Sequence, residues 1–425
     1  MGRNTVVLLV TVLGVGGTAL RAQEPPQADS LRREVQRLTA RIDSLERLVR
    51  QLVGEKRDTT AAQDELAALR AAAAVAGGGG RADTAAAQAP QEQTRFVDRS
   101  RNLNQLNPEL SVTGDVRLQA DPSAVFGDNV EVREFEVSFQ AALDPYSSTK
   151  IFAAFEEGEV NVEEAYAYWS GLPGRLRVDL GRLRQQVGEL NRWHLHALPE
   201  TDYPLVLRRY FGEEGLVGDG LSLYWMVPAG GGAWGVHELW TQATLRNFND
   251  ILDDGNRVAL LGHLNNFWQL SRSTFFQIGG TALYGENPDT NVTTSLIGVD
   301  IRLSWRPPER ALYRSFTVRG EGYALTRKVA GVPETWYGGY ASAQYQLSRR
   351  LFAGARYDHV ESMDSPGRYE WAFVPSLTWW QSEWVYLRTE WQRSAVPVIA
   401  GGLDRSDRLI LQAVWAIGPH KHEIY

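Results

Sequence analysis

Apolar and polar residues alternate one by one over most of this chain, and an alternation of period two is the mark of β-strands with unlike faces. Leu110, Val112, Gly114, Val116 and Leu118 interleave with Ser111, Thr113, Asp115, Arg117 and Gln119. Phe135, Val137 and Phe139 interleave with Glu134, Glu136 and Ser138. Ile297, Val299, Ile301, Leu303 and Trp305 interleave with Leu296, Gly298, Asp300, Arg302 and Ser304, and Val385, Leu387, Thr389 and Trp391 with Trp384, Tyr386, Arg388 and Glu390. Such runs recur about every 20 residues and break at turn chemistry such as Asp144-Pro145, Leu172 to Gly174 and Ser365 to Gly367. No helical period separates them, which argues against an α/β fold.

A soluble sandwich would bury the apolar faces, whereas a transmembrane barrel turns them to lipid and lines a wet lumen with the charged ones. Aromatics favour the barrel. The chain holds 14 Trp, 16 Tyr and 14 Phe, and Trp169, Trp305, Trp379, Trp391 and Trp415 fall near strand ends, as an interfacial girdle requires. The last strand, carrying Leu409, Leu411, Ala413, Trp415 and Ile417, leads to Tyr425. Residues 106–425 are therefore expected to form an all-β, transmembrane antiparallel barrel of about sixteen strands, wide enough for an aqueous channel.

Two appendages precede it. Arg3 followed by the apolar stretch Val6 to Val15 reads as a signal peptide over residues 1–22, too short to span a bilayer. Over residues 28–74, Leu31, Val35, Leu38, Ile42, Leu45, Val49 and Leu52 are spaced alternately by four and three. That is the seam of a parallel α-helical coiled coil, and hence of an oligomer, placed in the periplasm of an exported protein. Residues 75–105, with Gly77 to Gly80, read as an Ala/Gly-rich linker. The absence of cysteine excludes disulfides, thiolate catalysis and iron–sulfur clusters.

Several stretches resemble the early strands of the phosphate-selective porin O and P family of outer-membrane proteins. They are NPELSVTGDVR from Asn107 to Arg117, REFEVSF from Arg133 to Phe139, VEEAYAY from Val162 to Tyr168, and GRLRQQVGELNRWH from Gly181 to His194. The resemblance covers about residues 106 to 425 and implies a sixteen-stranded barrel in the outer-membrane lipid, a homotrimer, and a loop folded inward to constrict the pore. It does not carry phosphate selectivity with it. The chain has only Lys56, Lys150, Lys328 and Lys421, and from Phe96 onward 31 basic residues face 40 acidic ones.

The segment Gly181 to Gly220 is too polar and irregular for a strand pair and too long for a turn. Its Arg182, Arg184, Arg192, Arg208 and Arg209, with Glu189, Glu200, Asp202, Glu213, Glu214 and Asp219, suit a constriction with arginines on one side and carboxylates on the other. On the strands, Glu134, Glu136, Glu164, Arg177, Asp179, Asp300, Arg302, Arg319, Glu321, Arg388 and Glu390 are expected to line the pore. His194 with His196, and His420 with His422, have a spacing compatible with Zn²⁺, but two ligands without a third give no metal site. No nucleophile motif or phosphate loop is present, so neither an enzyme nor a cofactor is expected, and the acidic balance disfavours nucleic acid. The chain reads as a porin for small polar or anionic solutes, with weak selectivity. The alternative is a structural anchor whose coiled coil reaches the cell wall.

Overall fold

The computed structural model describes residues 108–418, apart from 122–128, 157–158, 229–233, 248–249, 253–257, 288–290, 366 and 399–400. The regions read as signal peptide, coiled coil and linker lie outside these residues, as do His420, His422 and Tyr425.

The described residues form sixteen strands. The first eight are β1 (Glu109–Ala120), β2 (Asn129–Ala142), β3 (Ser147–Glu156), β4 (Glu159–Leu172), β5 (Leu176–Arg184), β6 (Val217–Val227), β7 (Val236–Asn247) and β8 (Ala259–Gln269). The rest are β9 (Thr274–Asn287), β10 (Val292–Trp305), β11 (Phe316–Val329), β12 (Val332–Gln346), β13 (Leu351–Glu361), β14 (Tyr369–Trp380), β15 (Val385–Pro397) and β16 (Leu403–Ile417). Each pairs antiparallel with its sequence neighbours, and β1 pairs with β16 from Val112↔Ile417 to Ala120↔Leu409, which closes the barrel. Closure leaves no sheet edge with unpaired backbone groups.

The apolar faces point outward. Ile297 is 70% exposed and Val299 49%, while Asp300 between Val299 and Ile301 is 1% exposed. Trp169, Trp305, Trp379 and Trp391 are also on the outside. The hydrophobic core lies inside the barrel, where Leu296, Tyr323, Leu325, Trp336, Tyr340, Val360 and Val374 project inward and are buried. What buries them is the connection between β5 and β6.

Two β-bulges matter for the site. Between β1 and β2 the register moves from Asp115↔Glu134 to Val116↔Val132, leaving Arg133 as the extra residue. Between β3 and β4 it moves from Phe152↔Glu164 to Ala153↔Val162, leaving Glu163. A bulge re-aims the side chain of its extra residue, and here both turn into the lumen beside an inward neighbour.

Candidate pore constriction

The Gly181 to Gly220 segment is strand at both ends, since Arg182 on β5 pairs with Asp219 on β6 and Arg184 with Val217. The inward loop is therefore residues 185–216. Its neck is closed by Asn191, whose amide donates to the Gln185 carbonyl (2.8 Å) and the Leu216 carbonyl (3.0 Å) and accepts from the Leu216 N–H (2.7 Å). Gly188 adopts φ +58°, and a Cβ there would stand 2.2 Å from the Tyr323 hydroxyl. Glycine is needed at this contact for both reasons.

One side of the loop is apolar. Val187, Leu190, Leu205, Val206, Tyr210 and Phe211 pack against the inward residues of the wall formed by β9 to β14. The short helix α1 (Leu205–Phe211) supplies much of that surface. In the sequence these hydrophobic residues sit within a polar segment, because charged neighbours interrupt any regular period.

Charged and polar bonds pin the loop on several sides. Glu321 Oε1 on β11 accepts the backbone N–H groups of Glu189 and Leu190, both at 2.9 Å, capping a single 3₁₀ turn. Glu189 Oε1 lies 2.7 Å from Arg302 Nη1 and 3.3 Å from Arg319 Nε. Toward the other wall, Arg388 donates to the Leu198 carbonyl at 2.8 Å and the Thr201 N–H donates to Glu390 at 2.7 Å. Asp202 is reached by Arg117 at 2.9 Å, Arg408 at 3.1 Å and the bulged Arg133 at 3.5 Å. Burial by itself would raise the Asp202 carboxyl, but Arg133, Arg208, Arg117 and Arg408 outweigh it and hold the group below the usual carboxylate range.

The remaining charges are mostly in local pairs instead of standing as two opposed rows. Arg182 pairs with Asp219 at 2.9 Å, Arg184 with Glu163 at 2.5 Å, Arg208 with Glu213 at 2.6 Å and Arg209 with Glu370 at 2.7 Å. Arg177 pairs with Asp179 at 2.6 Å, and Glu214 Oε2 lies 4.0 Å from Arg184. Burying an uncompensated charge is costly, which favours such pairing. Asp300 is buried with His263 Nε2 at 3.9 Å.

The two loop histidines face carboxylates of the wall. His194 Nδ1 lies 2.6 Å from Glu136 Oε2 and 2.6 Å from Glu163 Oε2, with Glu164 Oε2 3.6 Å from Nε2. His196 Nδ1 lies 2.7 Å from Glu134 Oε1. Burial alone would disfavour both imidazolium forms. Glu136 and Glu163 nevertheless raise His194 well above the ordinary imidazole value, and Glu136 with Glu134 raises His196. Glu163 could be found only in three dimensions, because strict alternation would send one of Glu163 and Glu164 outward.

A cleft beside the loop runs along the wall from β3 to β7. Lys150, Arg177, Arg184, Arg192 and His194 line it together with Glu164 and Asp179. A second cleft, of about 230 Å³, opens between α1 and β15–β16 and carries Arg208, Arg209, Glu213 and Arg408. One inward loop thus occupies part of the lumen, with a charged cleft on either side of it.

Fold and loop together define a sixteen-stranded barrel of the outer-membrane porin type. The chain is similar to an anion-selective porin from Comamonas acidovorans, with a TM-score of 0.53 and 10% identity over 73% of this chain and 99% of that one. It is also similar to the outer-membrane channel DcaP of Acinetobacter baumannii, with a TM-score of 0.51 and 12% identity over 73% and 97% of the two chains. Pseudomonas putida OprB gives a TM-score of 0.51 and 10% identity over 75% and 96%. No protein-family model matches the chain. An uncharacterised protein of Aquifex aeolicus (strain VF5) is 37% identical over 93 residues, so the chain spans 20% of that relative's length.

Proposed function

We propose that this protein is an outer-membrane porin that passes small polar and anionic solutes by diffusion, with weak selectivity set by the 185–216 loop. The observation that carries the reading is the loop itself. It is held inside a closed sixteen-strand barrel with lipid-type faces outside and leaves a charged cleft along β3–β7. Non-helical backbone at membrane depth is tolerated where it packs on protein or lines water, and this loop has both surroundings. The structural likeness to porins supports the reading at the level of fold, and the motif resemblance to the phosphate-selective family supports a homotrimer. Phosphate selectivity is not part of the proposal, because the cleft's arginines at 177 and 184 are already paired with carboxylates. The predicted coiled coil would then lie in the periplasm and could contact the cell wall.

Planar-bilayer recording of the purified protein tests this. Discrete conductance steps, with a reversal potential displaced only slightly to the anion side in a salt gradient, are expected. A folded, membrane-inserted protein without steps would replace the porin reading with that of a structural anchor. Sedimentation of the detergent-solubilised protein should give three chains per particle.

A further inference from the structure

We infer that Glu136, Glu163 and His194 form a binding site for one divalent first-row metal ion, with Zn²⁺ as its natural probe, stapling the inward loop to β2 and β4. Their donor atoms converge on one small volume, all within 4.8 Å of one another, and all three residues are buried. The inference concerns ion binding and stands independently of channel activity.

Hydrogen bonding alone leaves one carboxylate oxygen of this cluster unserved. Nδ1 of an imidazole carries at most one proton, yet two carboxylate oxygens from different strands approach it equally, at 2.6 Å each. Glu163 Oε1 accepts no hydrogen bond among the described residues, although its side chain is fully buried. Buried carboxylate oxygens are ordinarily satisfied, so such an atom calls for an explanation. Zn–N and Zn–O bonds of about 2.0–2.2 Å would hold the three donors somewhat further apart than they stand here, a change within the reach of side-chain rotation.

Charge points the same way. Glu136, Glu163 and Glu164 all face His194, and the guanidinium of Arg184 is the cation bonded to Glu163. Glu163 reaches the cluster only because the β3–β4 register breaks at its position, so the bulge serves to add one buried carboxylate facing the histidine. Imidazole with carboxylates suits Zn²⁺ or Mn²⁺ better than softer ions. His194 also lines the β3–β7 cleft, which provides an entry path and a place for a water as fourth ligand.

The test uses the full chain in detergent with His420→Ala and His422→Ala, so that a chelate in the tail does not count. After incubation with Zn²⁺ and gel filtration, elemental analysis should find one Zn²⁺ per chain. His194→Gln and Glu163→Gln should each weaken Zn²⁺ at least about tenfold in competition with a chromophoric chelator. Binding of less than a tenth of an equivalent, or affinity unchanged in both variants, would overturn the site. Should a variant fail to fold, X-ray absorption at the zinc edge of the parent decides. One imidazole with carboxylate oxygens supports the assignment, while a shell of water alone or of several imidazoles overturns it.

Discussion

Glu189 Oε1 and Arg302 Nη1 meet at 2.7 Å, joining the inward loop to β10 through side chains that are 4% and 9% exposed. Arg302 is thus a fastening for the constriction and not a freely exchangeable charge on a wet wall. Removing one member of a buried pair strands the other, at a typical cost of about 3–5 kcal/mol. Glu189→Gln should therefore loosen the loop, with Arg319 left facing the same uncharged amide. Expected results are faster proteolysis within residues 185–216 and a noisier, larger conductance, with the barrel still running as a folded species on unheated gels. Unchanged proteolysis would mean that Asn191 and Glu321 hold the loop without this pair.

The orientation of the strands gives a second expectation. Val299 is 49% exposed on the outer face of β10, so Val299→Arg puts a charge into lipid and should cost about 2–4 kcal/mol at mid-depth. Leu387→Arg on β15 should behave alike. Ser304→Arg, on the inward face of β10, should be tolerated. The check is denaturant unfolding in vesicles of the three variants, and equal cost on both faces would contradict a membrane barrel.

Much of this architecture is readable from the residues. The alternation through Ile297, Val299, Ile301 and Leu303 marks both strand and outer face, because a pleated strand has no other way to separate unlike residues. The inward loop announces itself by polarity and length. Its apolar side does not. Leu190, Leu205, Val206 and Phe211 sit among charges, and their partners Leu296, Tyr323 and Leu325 occupy the face that alternation assigns to the polar set. The bulges at Arg133 and Glu163 are equally silent, since one extra residue leaves no compositional trace while it turns two adjacent side chains the same way. The partners of His194 come from two strands far off in sequence, so only the closed topology brings a third and fourth donor to it.

Acid should spare the latch at Asp202. Its carboxyl is held below the usual range by four arginines, so its stabilising contribution is complete above the ordinary carboxylate pKa near ~4. It is lost only as the pH falls through the lower folded-state value. Conductance noise attributable to this end of the loop should stay flat from neutral pH to about 4 and rise only in stronger acid. Asp202→Asn removes the anion at every pH and leaves Arg117, Arg133 and Arg408 crowded together, so its noise should be high throughout. A wild-type transition centred near pH 5 would contradict the assignment.

Selectivity follows from which charges in the β3–β7 cleft are already neutralised. Arg177 is matched by Asp179 and Arg184 by Glu163, both within 2.6 Å, so each pair presents a dipole and little net field. Lys150, Arg192, His194 and Glu164 complete the ionisable lining, in which basic groups outnumber carboxylates. Capture of a multivalent anion requires a dense set of donors that replaces its hydration at a narrow point, and this cleft lacks that density. The expected behaviour is a mild preference for chloride over potassium and no saturable phosphate block. Arg192→Gln should carry the reversal potential toward the cation side without closing the channel, because the carboxylates then balance or exceed the basic groups near the cleft. Arg184→Ala is a poor test of the same idea, since it strands the fully buried Glu163 and would disturb the loop before it changed the field. A wild-type current that saturates with phosphate at low millimolar concentration would overturn the weak-selectivity reading and restore a specific anion site to this pore.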